Sequence, residues 1–379
     1  MIPAEVFEST LRGFLAPILI EFDDPSVTEL LINGPNDIYV ERKGMLTRLS
    51  TNFESADALM SALRVIAQYV GRPFDKEHPI LEGRLPDGSR VEALIPPVAP
   101  DGPSVAIRRF SKDKLTLEKL LAFEALTADA AETLRAFIEC KQNIVVAGGT
   151  GSGKTSMLNA LSALIPAGER IVVMEDAREL QLQSEHVVQF EARPADARGR
   201  GAVSIRDLFK ASLRMRPDRI VLGEIRSGEA LDLIQAMTSG HGGCLTTVHA
   251  TYPIDTLNRL ETMALMGGVE LPLVALRAQL ASAVDIIVQT ARLRDGRRKV
   301  THITEVTGVE PTAGYRIKDL FAFDPALVKD GRRGEFRLVP TGVLPECLPL
   351  LRAHGFDLPR SVYAAVPNRS HPSQVGAAQ

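Results

Sequence analysis

The chain has 379 residues, 45% apolar and 24% charged, an ordinary globular composition with length enough for two or three cored domains. A formal net charge of −3 excludes any whole-surface electrostatic case for nucleic acid, so such a case must be local. Three scattered cysteines (Cys140, Cys244, Cys347) suit a reducing cytosol rather than a disulfide framework, and no basic-flanked apolar leader or membrane-length apolar run is present.

In chain order, residues 3–22 read as short helices, with Phe7, Leu11, Leu15, Ile18 and Phe22 on one face expected to pack on its own domain, a membrane surface being the alternative. Short strands follow at 27–33, 37–41 and 42–49, punctuated by Gly34-Pro35 and Gly44. A helix over 55–70 carries Leu59, Leu63, Ile66 and Val70 at helical spacing, with Ser55 placed to cap it. Strands at 79–85 and 90–95 flank Pro86-Asp87-Gly88, a hairpin signature, and 104–110 closes this first α/β unit. Polar residues from Lys112 mark a linker over 111–118, and helices fill 117–140. Beyond them β and α segments alternate (170–175, 208–215, 219–223, 229–237, 243–248), which predicts a mainly parallel sheet. After Val300 short strands return at 301–310 and 314–321, and the polar end from about Asn368 reads as disordered. The expected domains are therefore 1–110, the linker, 119–367 and a tail over 368–379.

The stretch 143–156 carries the chemistry. Gly148, Gly153, Lys154 and Thr155 satisfy G-x-x-x-x-G-K-[ST], an apolar β-prone run leads in, and Met157, Leu158, Leu161 and Leu164 follow at helical spacing. Glycines let backbone N–H groups close around a polyphosphate, and a helix N-terminus adds its positive end. Gly148, Gly149, Thr150, Gly151, Ser152, Gly153, Lys154, Thr155 and Ser156 thus form a candidate nucleoside triphosphate site. Lys154 reaches the β- and γ-phosphates, and the Thr155 hydroxyl holds Mg²⁺.

Two acidic groups narrow the reaction. Apolar Ile171–Met174 ends in Glu175-Asp176, with Glu179 three residues on, where a carboxylate can orient or deprotonate water; the alternative is a surface acidic turn. The strand 219–224 ends in Glu224, a single carboxylate because Gly223 precedes it; it contacts Mg²⁺ through water, polarises the nucleophile, or merely pairs with Arg226. His241 and His249 bracket Gly-Gly-Cys-Leu-Thr-Thr-Val, and a zinc reading fails for want of a fourth ligand. One of the two histidines instead senses the γ-phosphate by hydrogen bonding. Arg84, Arg90, Arg108 and Arg109 remain as candidates for phosphate contact, and 191–219 holds eight Arg/Lys against four acidic residues.

In this order the motifs resemble the secretion-ATPase superfamily: phosphate loop, aspartate box (Glu175 to Glu179), Walker B strand (Ile220 to Glu224) and histidine box (His241 to His249). Ile32-Asn33-Gly34-Pro35, Arg84 to Arg90, Ile95-Pro96-Pro97, Leu213 to Arg219, Asp295 to Arg298 and Thr341-Gly342 bring the likeness nearest to the Flp/Tad pilus assembly ATPases. The resemblance implies a small N-terminal α/β domain, a RecA-like ATPase domain and a homohexamer. It also implies use of ATP and Mg²⁺ at the cytoplasmic face of a bacterial inner membrane, reached through polytopic platform proteins without direct insertion. Glu179 falls at the family's water-activating glutamate. Arg84, Arg90, Arg108 and Arg109 match arginines that reach nucleotide at a domain or subunit junction. This sequence departs from the Flp/Tad pattern in lacking a longer N-terminal helical extension, and in Gly243-Cys244 and His249-Ala250-Thr251 within the histidine box. Two other readings stand beside this one: a nucleic-acid translocase using the basic segment, and a nucleotide-gated scaffold without turnover.

Overall fold

The computed structural model describes residues 4–42, 44–110, 115–195, 199–310, 314–323 and 337–364. The chain divides into two compact units, Met1–Asp113 and Lys114–Gln379. The start of the expected linker and the whole expected tail lie outside the described residues.

In the first unit, α1 (Ala4–Phe14), a short 3-10 turn and α2 (Leu19–Asp23) precede β1 (Val27–Asn33), β2 (Ile38–Arg42) and β3 (Met45–Arg48). Then come α3 (Ala56–Val70), β4 (Ile80–Arg84), β5 (Arg90–Leu94) and β6 (Ser104–Arg108). The strands form one antiparallel sheet in the order β3-β2-β1-β6-β5-β4. Helix α3 starts where Ser55 accepts a hydrogen bond from the Ala58 N–H (3.1 Å) and ends at Gly71, whose φ of 70° suits glycine. The stripe Phe7, Leu11, Leu15, Ile18 and Phe22 is buried with Leu59, Leu63 and Ile66 against the sheet, as its spacing predicts.

The second unit opens with α4 (Leu117–Ala122) and α5 (Ala128–Glu139), then β7 (Ile144–Gly148), α6 (Lys154–Ser162), β8 (Ile171–Glu175) and β9 (Val187–Glu191). It continues through α7 (Ile205–Ser212), β10 (Arg219–Leu222), α8 (Glu229–Thr238), β11 (Leu245–Val248), α9 (Pro253–Leu265) and α10 (Leu273–Ala283). Last come β12 (Ile286–Arg292), β13 (Arg298–Glu310), β14 (Gly314–Phe323), β15 (Leu338–Pro340), α11 (Leu348–Ala353) and α12 (Arg360–Ala364). Nine strands pair in the order β15-β14-β13-β12-β7-β11-β10-β8-β9. The run from β12 to β9 is parallel, and β13, β14 and β15 extend it antiparallel.

Strand β7 shows why this sheet reads as continuous apolar sequence. Ile144 and Val146 enter the core beneath α5 and α6, while Val145 and Ala147 enter the opposite core beneath α8, α9 and α10. Both faces being covered, each large side chain contributes about 1.5–3 kcal/mol of burial. The sequence reading leaves β9, α9, α10 and β12 unassigned. In β12 the polar pair Gln289-Thr290 breaks the apolar run, yet both are buried and hydrogen-bonded. After Val300 the strands are long rather than short, at 13 and 10 residues, because bulges at 303–304 and 306–308 absorb their irregular pattern. Among the described residues no helix is long and apolar enough to cross a membrane.

Candidate active site

The phosphate loop links the end of β7 to α6, and its glycines answer separate steric demands. A side chain at Gly148 would overlap Ser152 and Thr290, whereas Gly151 and Gly153 adopt φ of 68° and 98°. The loop is braced from β12: the Ser152 and Thr290 hydroxyls lie 2.9 Å apart, and Thr290 Oγ1 donates to the Ala147 carbonyl at 3.0 Å. Lys154, nearly buried, turns back on its own loop and donates from Nζ to the Gly149 carbonyl at 3.0 Å. Gly149, Thr150 and Gly151 are exposed, and Thr155 and Ser156 are half-buried in the first turn of α6. A cation held this close to a helix N-terminus and exposed loop amides is ready to exchange a carbonyl for phosphate oxygens.

The acidic groups gather at the carboxyl ends of neighbouring parallel strands, where such sheets bind ligands. Glu175, at the end of β8, is only 5% exposed, and its Oε1 accepts hydrogen bonds from the Glu179 and Leu180 N–H groups, both at 2.8 Å. Burial pushes its carboxyl up to about 7 despite those two bonds, and the nearby Glu179 and Glu191 carboxylates add to the rise. Glu175 is therefore the organiser of the acidic turn and no surface residue, a role the sequence pattern leaves open. Gly223 explains the single carboxylate on the next strand: a Cβ there would meet Glu175 Cγ at 2.9 Å. Glu179 is half-buried one turn on, and the Gln181 N–H ties the turn to Asn159 of α6 at 2.9 Å.

Glu224 follows β10 with its side chain 21% exposed. Its Oε2 accepts from Arg226 Nε at 2.7 Å, while Arg226 also reaches Asp176 Oδ2 at 3.2 Å. The same arginine thus bridges both acidic segments, and the pairing weighed from sequence is real. It does not remove Glu224 from the site, because Oε1 still faces His249 Nε2 at 3.8 Å. Burial and the neighbouring Lys154 cation lower the His249 pKa, against the opposing pull of the Glu224 carboxylate.

The structure places the two candidate histidines towards different ends of β11. Val248 pairs with Ala147, which sets His249 beside the phosphate loop. His241 lies before the opposite end of β11, where Gly242 abuts Lys141 and the Cys244 N–H bonds the Asn143 side chain at 3.0 Å. Between the two histidine-bearing segments, β11 itself spans about 13 Å, four residues at ~3.3 Å each.

The remaining arginines divide by environment. Arg109 donates to Asp87 Oδ2 at 2.8 Å and stacks over Phe22 at 4.2 Å. Arg108 is exposed, Arg84 and Arg90 are half-buried on paired strands, and Arg90 lies 3.7 Å from Glu82. Within the basic segment Arg193 binds the Gly201 carbonyl, and Arg206 binds Asp232 and the Gly267 carbonyl. Arg219, fully buried, pairs with Glu169. Arg206 and Arg219 are thereby tied into the fold of this unit.

Comparison with known proteins gives the family. The family model for type II/IV secretion system proteins matches residues 15–314. The type IV secretion system protein VirB11 of Bartonella quintana is 34% identical over 328 residues, covering 76% of this chain and 91% of the relative. The conjugal transfer protein TrbB of Rhizobium radiobacter is 32% identical over 305 residues, covering 79% and 88%. In fold the chain is similar to the Legionella pneumophila ATPase DotB, with a TM-score of 0.55 at 19% identity over 76% of this chain and 79% of that one.

Proposed function

The chain belongs to the type II/IV secretion ATPase family and is an ATP hydrolase, and from that premise we propose that it is a homohexameric, Mg²⁺-dependent motor powering Flp/Tad-type pilus assembly or the allied secretion. The observation that carries the reading is the convergence of Lys154, the Glu175–Glu179 turn, Glu224 and His249 at the carboxyl ends of adjacent parallel strands. The loop amides and Lys154 neutralise the phosphates, and Glu179 orients the attacking water. Thr155 and Glu224 offer hard oxygen donors, which suits Mg²⁺, an ion that takes few protein ligands and supplies charge neutralisation on phosphate oxygens. His249 reports loss of the γ-phosphate to the domain that moves. Arg84, Arg90, Arg108 and Arg109 are the proposed sources of transition-state charge. The motor works at the cytoplasmic face of the inner membrane through polytopic partners.

The test is specific ATPase activity as protein concentration rises. A steep climb to a plateau supports a site completed between subunits, and Lys154→Ala abolishes it. Constant appreciable activity in verified monomer refutes the ring motor. The VirB11 and TrbB likenesses favour a second reading, a traffic ATPase of a type IV secretion or conjugation machine. Deleting the gene decides between them: loss of surface pili supports the first reading, and loss of plasmid or effector transfer with pili intact supports the second.

A further inference from the structure

On the side of β7 away from the carboxylates, β12 and β13 form a hairpin that leans over the phosphate loop. Its turn is closed by Leu293 N–H to the Arg297 carbonyl (2.8 Å) and by Asp295, which accepts from the Arg297 backbone N–H at 3.0 Å and from its Nε at 2.7 Å. The register sets Arg292 directly opposite Arg298 at the mouth of that turn. Arg298 Nε donates to the Gly151 carbonyl at 2.9 Å, and its Cδ would lie 3.4 Å from a Cβ built on Gly153. Arg292 Nη1 would lie 3.2 Å from a Cβ built on Gly151. Both arginines are exposed.

Two guanidinium groups thus flank one phosphate loop, and an anion held there would accept charge-assisted hydrogen bonds from both. The loop they flank is built to hold one. We propose that Arg292 and Arg298 form a second cationic wall of the nucleotide site, binding the phosphates nearest the nucleoside. Resting on the ATPase reading above, the inference adds two binding residues supplied by the same chain. The topology argues for those phosphates rather than the γ-phosphate. Glu224, Glu175 and His249 follow β10, β8 and β11, whereas the hairpin lies beyond β7 on the other flank. The contacts are therefore retained in the diphosphate product. Their loss weakens ATP and ADP alike and falls mainly on KM rather than kcat.

The experiment is direct titration of Mg²⁺-ADP into the full chain, comparing wild type with Arg292→Gln, Arg298→Gln, the double variant and Lys154→Ala. Each single change is expected to weaken ADP about tenfold, as befits one charge-assisted phosphate contact, and to raise the KM for ATP by a similar factor. Arg292→Lys and Arg298→Lys, which keep the charge and the fold but lose the planar fork, are expected to recover only part of that loss. If the glutamine variants bind ADP within twofold of wild type while Lys154→Ala does not, the inference falls and the ATPase reading stands. Should the glutamine variants be unfolded, folded alanine variants that bind ADP within twofold of wild type also overturn it. A wild-type chain that fails to bind ADP removes both.

Discussion

Glu175→Gln offers a sharp test of how the acidic turn is built. The carboxyl is held at about 7 against an ordinary value of 4.5, chiefly by burial. Between those values the folded chain binds the proton that the unfolded chain has released, so stability falls as pH rises through the window and levels off above it. At about 1.4 kcal/mol per pH unit, the raised carboxyl of Glu175 costs the fold about 3 kcal/mol at pH 8, where it is ionised, and about 1 kcal/mol at pH 5, where the fold must take up the proton that the unfolded chain releases. Glutamine has the same shape, and its carbonyl can still accept from the Glu179 and Leu180 N–H groups. The variant is therefore expected to be more stable than wild type at pH 8 by up to about 3 kcal/mol, with most of the gain gone at pH 5. For the larger unit this is a rise in Tm of about 6 °C at pH 8, taking ~2 °C per kcal/mol for a domain of this size. Calorimetric melts without nucleotide, following the transition of the larger unit, supply the measurement. An equal Tm difference at pH 5 and pH 8, or a variant less stable than wild type at pH 8, refutes the buried-carboxylate argument.

Gly223→Ala puts a methyl 2.9 Å from Glu175 Cγ, and the overpacking is expected to cost about 1–3 kcal/mol. Its ATPase rate should also fall, and a variant matching wild type in Tm and turnover would show that the two strand ends are not tightly packed. Thr290→Val keeps the shape of β12 but removes both hydroxyl contacts that brace the phosphate loop, at a cost of about 1–3 kcal/mol. ADP titration should show weaker binding, and unchanged affinity argues against the brace. Glu169→Gln strips the anion from fully buried Arg219, a change worth about 3–5 kcal/mol. A fall of several degrees in Tm is expected, and no fall would mean that the Ile138 carbonyl alone satisfies the guanidinium.

The phosphate loop, the two strands ending in Glu175 and Glu224, and the apolar stripe from Phe7 to Phe22 were all legible because each is local. A glycine pattern, a carboxylate after an apolar run and a helical period depend only on neighbours along the chain. Strand β12 was not. Its sequence Ile-Ile-Val-Gln-Thr-Ala-Arg reads as an interrupted run, since the partners that satisfy Gln289 and Thr290 lie some 40 and 140 residues upstream. With β12 unassigned, neither the brace on the loop nor the position of Arg298 beside it can be read from the sequence, although Arg298 stands there within a motif.

The histidines show the same division. Sequence placed His241 and His249 eight residues apart in one motif, but only the pairing of β11 with β7 shows that they sit at opposite ends of a strand. Glu175 likewise looked like any acid at a strand end. Its buried carboxyl and its need for Gly223 appear only when β8 and β10 lie side by side. The chain alone determined the chemistry it carries: a polyphosphate loop, acids after strands, and apolar runs destined for a covered sheet. Tertiary structure decided which of those groups meet, because burial and strand register are set by partners distant in sequence, and local composition carries no record of them.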